Sequence, residues 1–332
     1  MFNIYNKYGK YKCIAACVMA AGVVAAAPIA HGAQTYPTQP IKLIVSFPPG
    51  GGTDTMARFL GSTLSEKFGW DIVVENRPGA GGTVGLGALA RSAPNGYTMA
   101  LGETSNLSIN PFLYSNITYN VERDFVPVVS MSSQPMVLVV RSDKPYKSVA
   151  ELIQYCKENP GKLSIGNSGT GTVGDITGRF FAKEAGLDVL HVPYKGAAPA
   201  MNDVLGGQVD AFFASSPAAM PQAKNPDIRM LAITTLEPIP QFPGVPTLAE
   251  TLPGFEAAAR MGVLVPAGTP ESVTQALNTH INEALKDETL RNKIMAQGNI
   301  VLGGTVQDFT DRIKQDSAKW SAIIKEGNLR IN

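Results

Sequence analysis

Apolar residues between positions 41 and 235 fall into short runs, each closed by glycine, proline or a small polar residue. IKLIVSF (41–47), DIVVENR (71–77) and YTMALGE (97–103) form a first set. PMVLVVR (135–141), KLSIGNS (162–168), VLHVPY (189–194), VDAFFAS (209–215) and IRMLAITT (228–235) form a second. Such runs read as strands, and the helical patterns between them favour a mostly parallel sheet covered by helices. Two sets predict two sheets. Beyond residue 269 the spacing becomes helical. Val273, Leu277, Ile281, Ala284 and Leu285 make one apolar stripe behind a Thr269-Pro270 start; Val306, Phe309, Ile313, Trp320, Ile323 and Ile324 make another behind a Thr305 cap.

Two stretches are longer and extended in character, FVPVVSMSSQPMVLVV (125–140) and FEAAARMGVLVPAGTP (255–270). They are suited to cross between two lobes, one formed by 33–134 with 258–332 and the other by 135–257. This predicts a cleft with a hinge at its base. A weak repeat agrees: GWDIVVENRPG (69–79) and GLDVLHVPYKG (186–196) share their glycine spacing, with Asp71 matching Asp188. Each follows an apolar strand, a Gly/Thr loop and a helical stretch carrying Arg58 or Arg179.

The first residues change the compartment. Lys7, Lys10 and Lys12 precede an uncharged run from Cys13 to Ala30, which reads as a secretory signal peptide over 1–32, cleaved after Ala30-His31-Gly32. The run is short for a membrane span. The remaining protein is expected in the periplasm.

Composition then excludes chemistry. The 332 residues are 44% hydrophobic and 17% charged, enough for roughly two domains. Residues 1–32 hold three of the 28 basic residues and none of the 27 acidic ones, so the rest carries a formal charge of −2. No nucleic-acid partner is implied. Cys156 alone remains, so neither a disulfide framework nor a cysteine metal site can form. His191 and His280 stand far apart in sequence, and no metal or cofactor fingerprint is present.

Candidate chemistry lies in SFPPGGGTD (46–54), where a strand breaks into glycines before a helix. A helix amino terminus offers unpaired N–H groups and a partial positive charge, so an anion gains there twice. Gly50, Gly51 and Gly52 allow close approach, and Thr53 or Asp54 can cap. The P-loop Lys-Ser/Thr pair and the dinucleotide G-x-G-x-x-G spacing are both missing. Ser168, Gly169, Thr170, Gly171 and Thr172 repeat the device. Facing one another, the two loops would supply N–H and O–H donors with no fixed cation, which suits a carboxylate; two turns serving only chain geometry are the plain alternative. Another rival is a periplasmic serine hydrolase built on Ser168, since GNSG (166–169) resembles a nucleophile elbow; Thr170 stands where its second glycine belongs, and no triad is recognisable.

FPPGGGTD, ENRPGAGGTVG (75–85), NGYTMALG (95–102), SGTGT, HVPYKGAAPAMNDVLGGQVD (191–210), FPGVPTLAE (242–250) and PAGTP (266–270) together closely resemble the Bug family. These are the periplasmic solute-binding proteins of tripartite tricarboxylate transporters. The resemblance implies an α/β fold, the type II periplasmic binding protein, with two α/β lobes joined by two crossing strands and closing on a small organic acid. It implies a non-enzymatic receptor whose ligand carboxylate is held by backbone groups and ordered waters between the loops at 48–54 and 168–172. Its partners would be the large and small integral membrane subunits of the transporter, with a sensor kinase as a variant. Two departures stand out. Gly174-Asp175 occupies a place where members often carry histidine, and Arg260 one where they often carry tryptophan. Asp175 reads as a first-turn acid on the helix dipole. Arg260 is expected to pair with a second ligand carboxylate or to stack on an aromatic ligand, its alternative being a surface ion pair. Phe47, Tyr194, Ser105 and Ser215, each at a strand end, complete the candidate ligand-binding residues.

Overall fold

In a computed structural model of the chain, residues 36–326 are described. The expected signal peptide lies outside them. The strands are β1 Ile41–Val45, β2 Ile72–Asn76, β3 Thr98–Glu103, β4 Phe125–Arg141, β5 Leu163–Asn167, β6 Val189–Pro193, β7 Ala211–Ser215, β8 Ile228–Ile233, β9 Ala258–Pro266 and β10 Ile300–Val301. The helices are α1 Gly52–Phe68, α2 Thr83–Ala90, α3 Asn110–Leu113, α4 Val121–Asp124, α5 Val149–Glu158, α6 Val173–Glu184, α7 Ala197–Leu205, α8 Ser216–Ala219, α9 Glu271–Leu285, α10 Glu288–Ala296 and α11 Val306–Glu326.

The strands form one continuous ten-stranded sheet instead of the expected two, because β4 pairs with strands of both sets; the order is β2-β1-β3-β9-β4-β7-β5-β6, with β8 and β10 also pairing β4. β4 spans two groups. Its residues 125–135 pair antiparallel with β9, its residues 136–140 pair antiparallel with β7, and 137–141 pair antiparallel with β8. One long strand therefore runs from the first group of strands into the second, and β9 runs beside its first part. The register between them shifts at Pro127/Val129 and at Ser130/Ser132, where proline and extra residues interrupt the ladder.

The sequence repeat is a structural one. β1-α1-β2 and β5-α6-β6 are both strand-helix-strand units with parallel pairing, Ile41 beside Ile72 and Leu163 beside Val189. Parallel strands need a crossover helix, and α1 and α6 supply it. α1 buries Met56, Ala57, Leu60 and Leu64 at helical spacing, and α6 buries Val173, Ile176 and Phe181. Because both units are built alike, the carboxyl ends of β1 and β5 each lead through glycine into a helix amino terminus.

The C-terminal reading needs two corrections. Thr269 does not cap the helix; its hydroxyl donates to Pro266 O at 2.7 Å, and Pro270 holds the cap position of α9. The stripe ends at Leu285, where Asp287 caps a separate α10 by accepting from Thr289 and Leu290 N–H. Thr305 does cap α11, its hydroxyl accepting from Asp308 N–H at 3.1 Å.

Candidate ligand-binding site

A cleft of about 890 Å3 opens where these strand ends meet. Residues 46–53 after β1, 78–82 after β2 and Glu103 at the end of β3 line one part of it. Residues 168–170 and 172–174 after β5, 194–197 after β6 and Ser215 at the end of β7 line another. Gln134 and Met136 of β4 and Ala259 of β9 are also in the lining. Open α/β sheets leave crevices at such carboxyl ends, and ligands bind there.

The first loop is shaped by Asp54. Gly50 lies in the left-handed region, at φ +80°, and its N–H donates to Asp54 Oδ2 at 2.9 Å. Asn76 Nδ2 donates to Asp54 Oδ1 at 2.9 Å and Arg58 Nε to Oδ2 at 2.9 Å. Burial alone would raise the Asp54 pKa, but these donors outweigh it and hold the carboxyl below its ordinary range. Gly51, the cap residue of α1, has no side chain to cover the first-turn N–H groups. Gly52 is a close approach: a Cβ there would lie 3.1 Å from Gln134 Nε2.

The second loop is organised in the same way. Gly171, at φ +78°, donates its N–H to Asp175 Oδ2 at 3.0 Å. Asn167 Nδ2 and Arg179 Nε donate to Asp175 Oδ1 at 3.1 and 3.0 Å. Thr172 caps α6, its hydroxyl accepting from Asp175 N–H. Asp175 is thus a first-turn acid, as its position implied. Gly174 leaves no room for a side chain, since a Cβ would lie 2.8 Å from Phe213 O.

Of the fifteen candidate residues, Phe47, Gly50, Gly51, Gly52, Thr53, Ser168, Gly169, Thr170, Thr172, Tyr194 and Ser215 line the cleft. The Tyr194 hydroxyl donates to Asp203 at 2.7 Å, and burial together with that bond raises its pKa to about 12. Asp54, Gly171 and Ser105 stand behind the lining and support it. Arg260 is also outside the lining. Its guanidinium donates to Asp316 Oδ1 at 2.8 Å and pairs with Glu256, so it joins β9 to α11 instead of projecting into the cleft.

Several lining groups escape a reading of sequence. Pro78–Gly82 uses a glycine run before α2, and the PGAGG pattern is the signal for it. A Cβ on Gly82 would lie 3.0 Å from Phe47 Cζ, so this loop packs against the first. Gln134 is 4% exposed, and its Nε2 has no hydrogen-bond partner among the described residues; the Ser46 hydroxyl, fully buried, is likewise unpaired. Buried polar groups are nearly always satisfied, and the Gln134 amide, beside Gly52, is a donor that the cleft can offer to a ligand or to water. Glu103 is a carboxyl within the lining. Thr53 Oγ1 donates to its Oε2 at 2.9 Å and Ser105 Oγ to its Oε1 at 3.3 Å. Burial raises its pKa, and these two hydroxyls oppose the rise. Among the described residues, no group of three or more His, Cys, Asp or Glu could hold a metal, and no helix is long and apolar enough to cross a membrane.

Comparison with known proteins identifies the family. A family model described as "Tripartite tricarboxylate transporter family receptor" matches residues 56–329. Protein BugT of Bordetella pertussis is 37% identical over 308 residues, 92% of this chain and 94% of that protein. The R. palustris Rpa4515 structure, which holds adipate, superposes with a TM-score of 0.81 at 33% identity, covering 87% of this chain and 97% of that one. MatC of Rhodopseudomonas palustris, with bound malate, gives 0.78 at 28%, covering 87% and 100%. The fold is that of the type II periplasmic binding proteins, and the chain belongs to the tripartite tricarboxylate transporter receptor family.

Proposed function

We propose that this chain is an exported, non-enzymatic receptor that captures a small organic carboxylate by hinge closure. It then delivers the ligand to the large and small integral membrane subunits of a tripartite transporter. Its signal peptide covers 1–32 and is cleaved on export. The lobes are 33–134 with 258–332, and 135–257, and they close on a hinge formed by β4 and β9.

One observation carries the reading: two glycine loops at helix amino termini meet in a cleft together with the unpaired Gln134 Nε2. That is a set of donors held in place before any anion arrives. Gly50–Thr53 and Ser168–Thr172 hold the carboxylate; Phe47, Tyr194 and Ser215 wall the pocket. Asp54, Gly171 and Ser105 fix the loops from behind, and Arg260 braces β9 against α11. Adipate in Rpa4515 and malate in MatC support the ligand class. The hydrolase reading is weaker. Ser168 lines the cleft, but no histidine is among the described lining residues to act as its base. No observation favours the sensor-kinase variant.

The test is thermal unfolding of the purified protein against aliphatic di- and tricarboxylates, acidic amino acids and benzoate-type acids. A ligand at about a hundred times its Kd adds about 2.7 kcal/mol, a shift of a few degrees. A flat panel, repeated after unfolding and refolding to strip any retained ligand, removes the carboxylate assignment. Product formation or covalent labelling at Ser168 would revive the hydrolase.

A further inference from the structure

Glu103 is the anomaly of the cleft. A site that gathers N–H and O–H donors for an anion also presents a carboxyl of its own, at the carboxyl end of β3. Both of its oxygens accept from hydroxyls, Thr53 and Ser105. That arrangement satisfies an ionised carboxylate and leaves lone pairs facing the cavity.

Cations on the neighbouring elements are committed elsewhere. Arg58 of α1 pairs with Asp54, and Arg260 of β9 pairs with Asp316 and Glu256. Lys195 lines the cleft as well, but it is exposed, in the segment after β6, beside the second loop. No cation contributes to the pKa of Glu103; burial pushes the carboxyl up with only the two hydroxyls against it. Even a half-buried carboxylate without a counter-charge is costly, and an incoming cation removes that cost.

We propose that Glu103 sets the ligand class of this cleft by receiving an ammonium group, so that the ligand is a zwitterionic acid rather than a plain dicarboxylate. The inference rests on the carboxylate-receptor reading and refines it. The ligand's carboxylate meets the two glycine loops and the Gln134 amide, while its ammonium meets Glu103. A plain dicarboxylate would bring a second negative charge towards an unneutralised one.

The experiment is calorimetric titration of the purified protein with two matched pairs of probes, L-aspartate against succinate and L-glutamate against glutarate, at pH 7.5. Adipate and malate are added as controls. Wild type is expected to prefer the amino acid of at least one pair by about tenfold or more, the size of one charge-assisted hydrogen bond. Glu103→Gln keeps the shape of the side chain and is expected to lose that preference while gaining affinity for succinate or glutarate. Two results overturn the inference. One is tighter binding of the diacid by wild type, rising as pH falls, which would mean a proton shared between Glu103 and the ligand. The other is an amino-acid preference that survives in Glu103→Gln. Should adipate or malate bind while neither amino acid does, the inference fails and the receptor reading stands. If no acid of any kind binds, the receptor reading itself fails. The wild-type comparison decides the matter even where the variant does not fold.

Discussion

Asp54 and Asp175 hold the two glycine loops by the same set of bonds. Each is the third residue of its helix, each accepts the N–H of a left-handed glycine four residues earlier, and each is bridged by an arginine four residues later. The remaining partner is an asparagine in both cases, Asn76 from β2 and Asn167 from β5. An acid at a helix amino terminus would ordinarily compete with an anionic ligand for the positive end of the dipole. Here Arg58 and Arg179 neutralise it. The carboxylates therefore shape the loops without repelling what binds to them.

Removing either acid should damage both binding and folding. Asp54→Ala frees the Gly50 N–H and strands Arg58, and Asp175→Ala does the same at Gly171 and Arg179. Each is expected to cost about 1–3 kcal/mol of stability, the value of a buried charged hydrogen bond, and to weaken a bound carboxylate by tenfold or more. Calorimetric titration beside thermal melts separates the two effects; unchanged affinity in a folded variant would deny the loops their role. The Asp54 carboxyl is held below its ordinary range, so its stabilisation is full above the unfolded carboxyl pKa and is lost as pH falls through the folded one. The gap between wild type and Asp54→Ala should accordingly close in acid.

Gln134 gives a prediction of opposite sign. Its Nε2 is buried without a partner among the described residues. Gln134→Met fills the same space and removes an unsatisfied donor, so the free protein should melt no lower, and up to a few degrees higher. Ligand affinity should fall by about tenfold, the value of one hydrogen bond to a charged group. A drop in the melting point of the free protein would show that the amide is already satisfied.

What was legible in the sequence follows from how local each signal is. Every expected strand from 41 to 235 appears, because apolar runs bounded by glycine and proline carry their own length and ends. The two glycine loops were legible for the same reason. Glu103 and Gln134 were not: each sits in or at the end of an apolar run, and only the pairing of β3, β9 and β4 brings them beside the first loop. A ligand role for Arg260 is expected from the resemblance, beside the alternative of an ion pair. Its actual partners, Asp316 in α11 and Glu256, depend on how the last helix packs, and no sequence pattern records that.

Arg260→Ala should therefore be chiefly a folding defect. The guanidinium and Asp316 are both about nine-tenths buried, and burial raises the Asp316 pKa with Arg260 opposing only part of the rise. Removing one partner of a buried pair leaves an uncompensated charge and costs about 3–5 kcal/mol. Chemical denaturation measures this, with Arg260→Ala/Asp316→Ala expected to recover part of the loss. A stable variant with lost affinity would instead put Arg260 at the ligand.

Glu103 makes the ligand-free protein sensitive to pH in the direction opposite to Asp54. Its folded pKa is raised above the unfolded value by burial. The native state accordingly holds its proton more tightly than the unfolded chain; that stability is full below the unfolded carboxyl pKa and is lost as pH rises through the folded one. Wherever it is ionised, the group is a standing cost to the cleft. Glu103→Gln should then raise the melting temperature of the free protein at pH 7.5 by a few degrees, about 1–2 kcal/mol, and give little at pH 4. Melts of both proteins across this range, stripped of ligand first, read the difference directly. A gain of equal size at both values would mean that the amide packs better rather than that a charge has been removed. A loss at pH 7.5 would mean that Glu103 is stabilised where it stands and needs no cation from a ligand. A gain confined to neutral pH means that the receptor keeps an unpaired charge in its cleft, at a cost to its own stability, for a ligand to neutralise.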